Sequence, residues 1–296
     1  MPAQLSKVVC FGEILWDILP AGTVPGGAPM NVAYHLHQLN ESPALVNRVG
    51  KDESGDELRS ILERKEVDIR LLQTDEQYPT GTVYGTADEK GDMKYEIVAP
   101  SAWDFIQTTA DNMTTVAEAD YFVCGSLVAR REPSRNTLFA LLDQANTKVV
   151  DINLRPPFYS AELIEALITR ADIVKLNNDE LELISSWWGF GQGLREQADA
   201  LQRRFNTKTI IVTRGSNGAA VWHDGRLHEH PGFKVKVADT VGSGDAFLAG
   251  FLHQRLQSKE VNEALVFACG LGALVASKSG AWPDYKTSDI YALTNL

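Results

Sequence analysis

Short apolar runs alternate with longer segments of helical periodicity through most of the chain. Buried strands are predicted at residues 8–11, 44–49, 121–124, 148–151, 172–176 and 209–213. Helices are predicted at residues 133–145, 161–169, 179–186, 194–205 and 264–277. Because strands and helices that alternate at this spacing form βαβ units, we expect an α/β fold with a mainly parallel central sheet and helices on both faces.

Two other regions depart from this pattern. Alternating runs at residues 82–86 and 93–98 are joined by polar residues 88–92, which predicts a β-hairpin. Residues 187–191 are predicted to form an aromatic loop that serves local packing or, as the alternative, a partner surface. The chain shows no internal repeat, low-complexity tract or long linker, so a single domain over residues 1–296 is expected.

The charge balance narrows the classes of partner. The chain has 28 lysines and arginines against 39 aspartates and glutamates, a formal net charge of −11. Proteins that bind nucleic acid or an anionic membrane generally need a basic face, so we expect neither partner. The three cysteines lie far apart, as is typical of free thiols in a reducing compartment. Without a recognisable signal peptide or membrane-length apolar run, a cytoplasmic location is expected.

The most informative stretch is Asp-Thr-Val-Gly-Ser-Gly-Asp-Ala-Phe at residues 239–247. It follows an alternating run at residues 233–237, predicted to be a strand, and opens a long helical segment. Gly242 and Gly244 allow close backbone approach to a ligand, and the first-turn amides favour an anion. Asp245 would then suit a base that takes a proton from an attacking hydroxyl. The alternative is an ordinary helix start, with Ser243 as N-cap and Asp245 favourable to the helix dipole.

This nine-residue stretch closely resembles the signature of the ribokinase-like (PfkB) sugar kinases, in which Ser243 is usually alanine. The resemblance implies that Asp245 is the catalytic base and that Gly242, Ser243 and Gly244 form an anion hole. It also implies a K⁺ site at Asp239 and Val241, which bind a monovalent cation in several relatives, with further ligands from residues 277–280.

Two motifs near the start of the chain concern the sugar. Asp17 ends Gly-Glu-x-x-x-Asp, and on its own it is either a surface acid or a hydroxyl acceptor. Gly26, Gly27 and Asn31 belong to Gly-Gly-Ala-Pro-x-Asn-Val-Ala, which predicts a tight entry into a helix ending near residue 39. The second motif resembles the fructokinase branch of the family. The resemblance implies that the sugar is bound by these four residues together with Asp245.

The resemblance also assigns a role to the hairpin. With the segment near residues 14–25, the segment near residues 80–98 would form a small β lid that closes over the sugar and can mediate homodimerisation. Closure would exclude water, which competes with the sugar as phosphate acceptor.

Polar residues that follow the central strands are candidates for nucleotide binding, because ligands of such sheets lie beyond the carboxyl ends of the strands. Arg155 is either solvated or holds phosphate, and Glu180 either belongs to a helix start capped by Asn178 or Asp179 or serves the phosphates. The resemblance implies that Arg155 absorbs charge during transfer, that Glu180 holds Mg²⁺ through water, and that residues 264–277 and 280–283 cradle adenine. The implied nucleotide-binding residues are Asn177, Thr213, Arg214, Gly215, Gly218, Gly242, Gly244 and Ala273.

The hypothesis that follows is an ATP-dependent sugar kinase that converts D-fructose to fructose 6-phosphate. Two alternatives stay open: a kinase for 2-keto-3-deoxygluconate or another sugar, and a catalytically silent sugar-binding regulator. A nicotinamide-dependent oxidoreductase would need Gly-x-Gly-x-x-Gly after the first strand, and residues 12–17 lack that motif.

Overall fold

Thirteen strands are found in the part of the chain that the structure describes. The structure is a computed structural model that describes residues 6–20, 22–87 and 93–296. All six strands that the apolar runs predict are present. In chain order the strands are β1 (Val8–Phe11), β2 (Leu15–Leu19), β3 (Gly22–Gly26), β4 (Ala44–Gly50), β5 (Leu72–Asp75), β6 (Gly81–Ala87), β7 (Met93–Ile97), β8 (Tyr121–Gly125), β9 (Thr147–Asp151), β10 (Ile173–Asn177), β11 (Thr209–Thr213), β12 (Ala219–His223) and β13 (Arg226–His230).

Ten α-helices connect and cover these strands within the same described ranges. None of these helices is long and apolar enough to cross a bilayer. In chain order they are α1 (Ala28–Gln38), α2 (Glu53–Arg64), α3 (Ala110–Glu118), α4 (Glu132–Gln144), α5 (Ala161–Ile168), α6 (Asn178–Trp188), α7 (Leu194–Phe205), α8 (Ser243–Leu256), α9 (Val261–Ala276) and α10 (Thr287–Thr294).

The central sheet has nine strands in the order β13-β12-β11-β10-β9-β8-β1-β4-β5. The seven strands from β11 to β5 run parallel, and β12 and β13 add an antiparallel edge. One face packs against α4 to α7, and the other packs against α1, α2, α8 and α9. The predicted α/β class, with a mainly parallel sheet and helices on both faces, is confirmed.

Strand alternation decides which residues face α8 and α9. Val149, Ile173 and Ile211 lie in the core on that side, whereas the residue that follows each of them lies in the opposite core. Asp151 and Lys175 follow Val149 and Ile173 by two positions, so they share this face at the carboxyl ends of β9 and β10. The two residues are also direct partners in the β9–β10 register.

A second, four-stranded sheet has the order β3-β2-β6-β7. It is built from the segments near residues 14–25 and 80–98 that the sequence analysis assigned to a small β lid. Strands β6 and β7 pair antiparallel, as the hairpin requires, and β2 pairs parallel with β6. The polar turn expected at residues 88–92 lies outside the described residues.

Two local predictions were wrong. Residues 233–237, all of them described, form no strand. Pro231 has no amide hydrogen and Gly232 has a φ of 82°, so the pairing that β13 makes with β12 does not continue past His230. Trp187 and Trp188 belong to α6 rather than to a loop, because the helix continues to Gly189, whose φ of 65° ends it. Both tryptophans pack against the core, as the packing interpretation expected.

The root of the small sheet is anchored by a buried ion pair. Arg130 Nε lies 2.6 Å from Asp104 Oδ1, and the two side chains are at most 2% exposed. Arg130 also donates to the Val98 carbonyl, directly after β7, at 2.8 Å, and its guanidinium lies 3.7 Å from the centre of the Trp103 ring. This arginine therefore ties the exit of β7 to the central domain.

Replacing Arg130 by methionine should destabilise the protein, since the buried Asp104 carboxylate would be left with the longer ion pair to Arg131, at 3.8 Å. We expect the free energy of unfolding to fall by about 3 kcal/mol. Urea unfolding followed by fluorescence measures this change. Lys51→Met is the control, because Lys51 pairs with Glu76 at a surface where both side chains are more than half exposed, and it should change stability by less than about 0.5 kcal/mol. An equal effect of the two variants would contradict the anchoring role.

Candidate functional site

Two cavities meet at the start of α8. The first, of about 540 Å³, lies between the carboxyl ends of the central strands and the small sheet. The second, of about 510 Å³, lies between α9 and the loop residues 232–237. Thr213, Thr240 and Gly244 line both cavities. A ligand in one cavity can therefore reach a ligand in the other across the first turn of α8.

The first turn of α8 has the geometry of an anion site. Gly242 is the N-cap with a left-handed φ of 74°, and a Cβ atom there would lie 2.7 Å from the Ala281 methyl group. The position therefore needs glycine, and the alternative with Ser243 as N-cap is wrong. The first amides of a helix have no partner within the helix, so they can bind an anion. Here the Ser243 amide makes one long hydrogen bond, to the Thr240 carbonyl at 3.3 Å, which a bound anion would replace. Gly242 lines the first cavity, Ser243 lines the second, and Gly244 lines both.

Asp245 lies in the same turn and lines the first cavity. Its Oδ2 accepts a hydrogen bond from Asn31 Nδ2 at 2.8 Å, and Oδ1 has no hydrogen-bond partner within residues 6–20, 22–87 and 93–296. Burial and the negative charge of Asp151 raise the pKa of Asp245 to about 7, against the opposing effect of Lys175. A carboxyl group with such a pKa can take up and release a proton near neutrality.

Lys175 is a site residue that the sequence analysis missed. Its Nζ lies 2.6 Å from Asp151 Oδ2, and both side chains are at most 7% exposed. A Cβ atom at Gly244 would lie 3.5 Å from that Nζ, so the ammonium group is next to the anion turn. Burial alone lowers the pKa of Lys175, but Asp151 and Asp245 outweigh it and raise the pKa, so the side chain stays charged. A lysine inside an otherwise apolar strand was the available signal.

The sugar-site candidates of the small sheet and α1 are brought together only in part. Asp17 lies within β2 rather than at a strand end, and it lines the first cavity with Gly27 and Asn31. Burial raises the pKa of Asp17 to about 6, although Arg155 opposes the shift. Gly26 is not in the cavity wall, but a Cβ atom there would collide with the Asp17 carboxylate. Gly26 thus makes room for Asp17.

Gly27 has a structural reason to be glycine as well. Its φ is 119°, and a Cβ atom at this position would collide with the Glu13 carbonyl. The close approach brings the start of α1 against the link between β1 and β2. As a result Asn31, in the first turn of α1, reaches Asp245 in the first turn of α8.

Asn177 and Glu180 form a capping box at the start of α6. Asn177 Oδ1 accepts from the Glu180 amide at 2.9 Å, and Glu180 Oε2 accepts from the Asn177 amide at 2.8 Å. The cap is therefore Asn177, and the alternatives Asn178 and Asp179 were wrong. Glu180 Oε1 accepts from the Leu154 amide at 2.7 Å, which ties α6 to the loop after β9. Burial raises the pKa of Glu180.

Arg155 also lines the first cavity, and one of its guanidinium nitrogens donates to the Leu154 carbonyl at 3.0 Å. Its positive charge lowers the pKa of both Asp17 and Glu13 against the larger effect of burial. The residue is exposed, so its charge is available to a ligand.

The residues predicted to bind the nucleotide do not all line the same cavity. Thr213, Gly215, Gly218 and Ala273 line the second cavity, whereas Asn177 lines the first. Arg214 is part of neither wall. Its guanidinium pairs with Glu229 at 2.9 Å and donates to the carbonyls of two strand residues, so it braces β11 against β12 and β13.

The segment at residues 280–283 also differs from expectation. It lines neither cavity; instead Trp282 donates to Asn31 Oδ1 at 2.8 Å, on the side of the first cavity. The second cavity takes its small-residue wall from α9, where Cys269, Gly272, Ala273 and Ala276 face it. Of the two segments expected to cradle adenine, only α9 is in position to do so.

The two potassium candidates belong to the loop before α8. Asp239 Oδ1 accepts from the Val241 amide at 3.0 Å, and Oδ2 accepts from the Gly280 amide at 3.1 Å. The carboxylate thus joins this loop to the loop at residues 277–280, from which further ligands were expected. Asp239 lines neither cavity, and Val241 lines the first.

This arrangement, an α/β fold with a helix N-terminus and a carboxylate between two cavities, is that of a carbohydrate kinase. A model described as pfkB family carbohydrate kinase matches residues 19–287. The chain belongs to this family, and the predicted ribokinase-like (PfkB) relationship is confirmed.

Fructokinases are among the proteins that this chain resembles. Probable fructokinase-7 of Arabidopsis thaliana is 30% identical over 313 residues, which cover 95% of this chain and 90% of that protein. The fructokinase of Escherichia coli is 30% identical over 297 residues, covering 93% and 95%. A solved fructokinase double mutant from Vibrio cholerae O395, bound to fructose, ADP and potassium ion, has a TM-score of 0.84 and 26% identity over 98% of each chain.

The raised pKa of Asp245 predicts a stability effect that needs no substrate. The folded pKa of about 7 exceeds the ordinary value of 3.8, so the charged form is penalised in the native state. The penalty is absent below pH 3.8, grows as the pH rises, and is complete above pH 7. Asp245→Asn should therefore raise the free energy of unfolding by up to about 4 kcal/mol at pH 8, and by much less near pH 4.

Urea unfolding at both pH values measures the difference. The control is Asp120→Asn, at an exposed carboxylate away from both cavities, which should give the same small change at each pH. If Asp245→Asn were equally stabilising at pH 4 and pH 8, the raised pKa would be wrong.

Proposed function

We propose that the protein is an ATP-dependent fructokinase that transfers the γ-phosphoryl group of ATP to D-fructose and forms fructose 6-phosphate. The observation that carries the proposal is the first turn of α8, which holds Asp245 and is shared by two cavities. The first cavity has carboxylate and amide groups suited to sugar hydroxyls. The second has an apolar wall suited to the adenine ring of ATP. The fructokinases among the relatives support fructose as the sugar.

In this mechanism Asp245 takes the proton of the primary hydroxyl of the sugar. The hydroxyl oxygen then forms a bond to the γ-phosphorus while the bond from that phosphorus to the bridging oxygen breaks, and ADP leaves. The amides of Gly242 to Gly244 stabilise the negative charge of the transferring group, and Lys175 and Arg155 add positive charge. The pKa of about 7 leaves a substantial fraction of Asp245 ionised at neutral pH.

The residues of the first cavity fit a divalent cation that arrives with the nucleotide. Within the described ranges, no group of three or more His, Cys, Asp or Glu side chains could hold a metal by itself. Both oxygens of Glu180 already accept backbone hydrogen bonds, which suits contact through water with Mg²⁺. In this proposal Glu180 and Asn177 orient the hydrated cation, and the cation supplies charge that neutralises the β- and γ-phosphates.

A monovalent cation is the second ion of the proposal. Asp239 and the Val241 carbonyl offer oxygen donors, and the hydrogen bond from Gly280 to Asp239 supports a shared site of the two loops. Bound K⁺ would hold the loop before α8 against the loop after α9, next to the anion turn.

The small sheet is proposed to act as a lid. Leu15, Asp17, Val83, Tyr95 and Ile97 line the first cavity from this sheet, so its closure would remove water from the sugar. On its other face Tyr84 is 46% exposed, which supports pairing of two copies through the lid. The proposed compartment is the cytoplasm, in keeping with the three free, buried cysteines.

Two alternative functions differ from the proposed fructokinase at particular residues of the site. A kinase for 2-keto-3-deoxygluconate or another sugar would share the mechanism and differ in the contacts of Asp17, Gly27 and Asn31. A silent sugar-binding regulator would have no need of a base, and the hydrogen-bonded, near-neutral Asp245 favours the enzyme over it.

Release of ADP with ATP and Mg²⁺ should depend on fructose and exceed the release with other sugars of a panel that includes 2-keto-3-deoxygluconate. Activity should be higher with K⁺ than without it. The dependence of kcat/KM on pH should fall on the acid side of about pH 7, because protonated Asp245 cannot accept the hydroxyl proton. Asp245→Asn should lower kcat by at least about 10³-fold, while calorimetry shows ATP binding retained.

If another sugar gave more ADP release, the proposed substrate would change and the proposed mechanism would stand. Sugar binding without ADP release would favour the regulator. Near-normal turnover by Asp245→Asn would exclude this residue as the base.

Lys175→Met should lower kcat at saturating fructose and ATP by about 10²-fold, because a charge beside the anion turn is lost. The double variant Lys175→Met with Asp151→Asn removes both members of the buried pair and so relieves the unpaired carboxylate. Relative to Lys175→Met, the double variant should recover the free energy of unfolding but not kcat. Lys208→Met, at a side chain 74% exposed, is the control and should keep the normal kcat. Recovery of kcat in the double variant would show that Lys175 serves only to neutralise Asp151.

A further inference from the structure

We propose that Trp282 is a positioning residue for phosphoryl transfer, because its indole N–H orients the Asn31 amide that holds Asp245. The inference rests on the proposed function, since it assigns a task within that reaction. Trp282 lies 251 positions from Asn31 along the chain, and no motif in the sequence connects the two residues.

Two hydrogen bonds in series carry the argument. Trp282 Nε1 donates to Asn31 Oδ1 at 2.8 Å, and Asn31 Nδ2 donates to Asp245 Oδ2 at 2.8 Å. An amide group can be placed either way round, but an indole N–H can only donate. The oxygen of Asn31 must therefore face Trp282, and its NH₂ group must face Asp245.

Trp282 is itself firmly held. Its ring stacks on Tyr34 of α1 at 4.8 Å between centroids, with an interplanar angle of 8°. The preceding carbonyl, of Ala281, accepts from His35 Nε2 at 3.0 Å, and Ala281 also packs against Gly242. The indole is thus fixed between α1 and the turn that begins α8, which are the two elements that it links through Asn31.

The orientation has two chemical consequences. With Oδ1 and one N–H engaged, the second N–H of Asn31 is the part of the amide left for a ligand, so Asn31 donates to a sugar oxygen and does not accept from a hydroxyl. With the amide reversed, Oδ1 would face the Asp245 carboxylate, and repulsion would favour the protonated form of the base. The other charged groups that act on Asp245 are Asp151 of β9, Lys175 of β10 and Glu13 between β1 and β2, and the replacement of Trp282 leaves them in place.

The test compares Trp282→Phe with the normal enzyme across pH. Loss of the indole N–H should lower kcat/KM for fructose about tenfold at pH 6 but less than about threefold at pH 9, as the acid limb moves up by about one pH unit. Trp222→Phe is the matched control, because Trp222 is a buried tryptophan of β12 outside both cavities. It should leave the pH profile unchanged. An equal loss at pH 6 and pH 9 would overturn the proposal, because a purely structural role lowers the folded fraction at every pH.

A double-mutant cycle tests whether Trp282 acts through Asn31. In an Asn31→Ala background, Trp282→Phe should change kcat/KM by less than about twofold. A further tenfold loss in that background would overturn the proposal. Should phenylalanine impair folding, 3-benzothienylalanine at position 282 keeps the ring shape and replaces the N–H by sulfur, with the same expected profile.

A stability measurement separates this inference from the proposed function. In the Trp282→Phe background, Asp245→Asn should stabilise the protein at pH 8 more than it does in the normal background, since the reversed amide penalises the charged carboxylate further. This comparison needs no turnover, so it decides the role of Trp282 even if no sugar is phosphorylated. An equal gain in the two backgrounds would overturn the proposal.

Discussion

The interaction on which the site depends is the buried ion pair between Lys175 and Asp151. The two residues face each other on neighbouring parallel strands, where the layer of core residues that includes Val149 and Ile173 would otherwise continue. Either charge alone would lose its hydration without compensation, whereas the pair at 2.6 Å can be buried. The central sheet thereby delivers a fixed positive charge to the first turn of α8, where the two cavities join.

Negative charge is otherwise concentrated around that junction. Glu13, Asp17, Glu180 and Asp245 all line the first cavity, and burial raises the pKa of each of them. The whole chain is acidic as well, with a net charge of −11. A polyanion must therefore be held by local donors, namely the helix amides, Lys175 and Arg155, rather than by the overall field of the protein. Burial is the main cause that raises the pKa of Asp245 toward neutrality, and the neighbouring carboxylates of Asp151 and Glu13 add to it.

What could be predicted from the sequence was local in origin. The six strands predicted from apolar runs lie within one residue of their observed ends, because apolar runs and the turns that bound them are short-range signals. Gly242 was predictable because a left-handed turn before a helix needs glycine. The strand predicted at residues 233–237 did not form, because alternation says nothing about whether a neighbouring strand is available. Two pairings could not be predicted in this way. The pairing of Lys175 with Asp151 depends on strand register, and the contact of Trp282 with Asn31 joins distant parts of the chain, so no single segment encodes either.

The position of Asp245 raises a conflict that the fold resolves. A carboxylate in the first turn of a helix is stabilised by the same amides that a phosphate requires, so the two groups compete. The hydrogen bond from Asn31 draws Oδ2 toward α1, which packs against α8. The close approach of Gly27 to Glu13 holds α1 in this position, and so do the contacts of His35 and Tyr34 with residues 281 and 282. The fold therefore fixes the position of the Asn31 amide that binds Oδ2. In the proposed reaction, the amides of the anion turn would then be left for phosphate, and Asp245 would be left to act on the sugar.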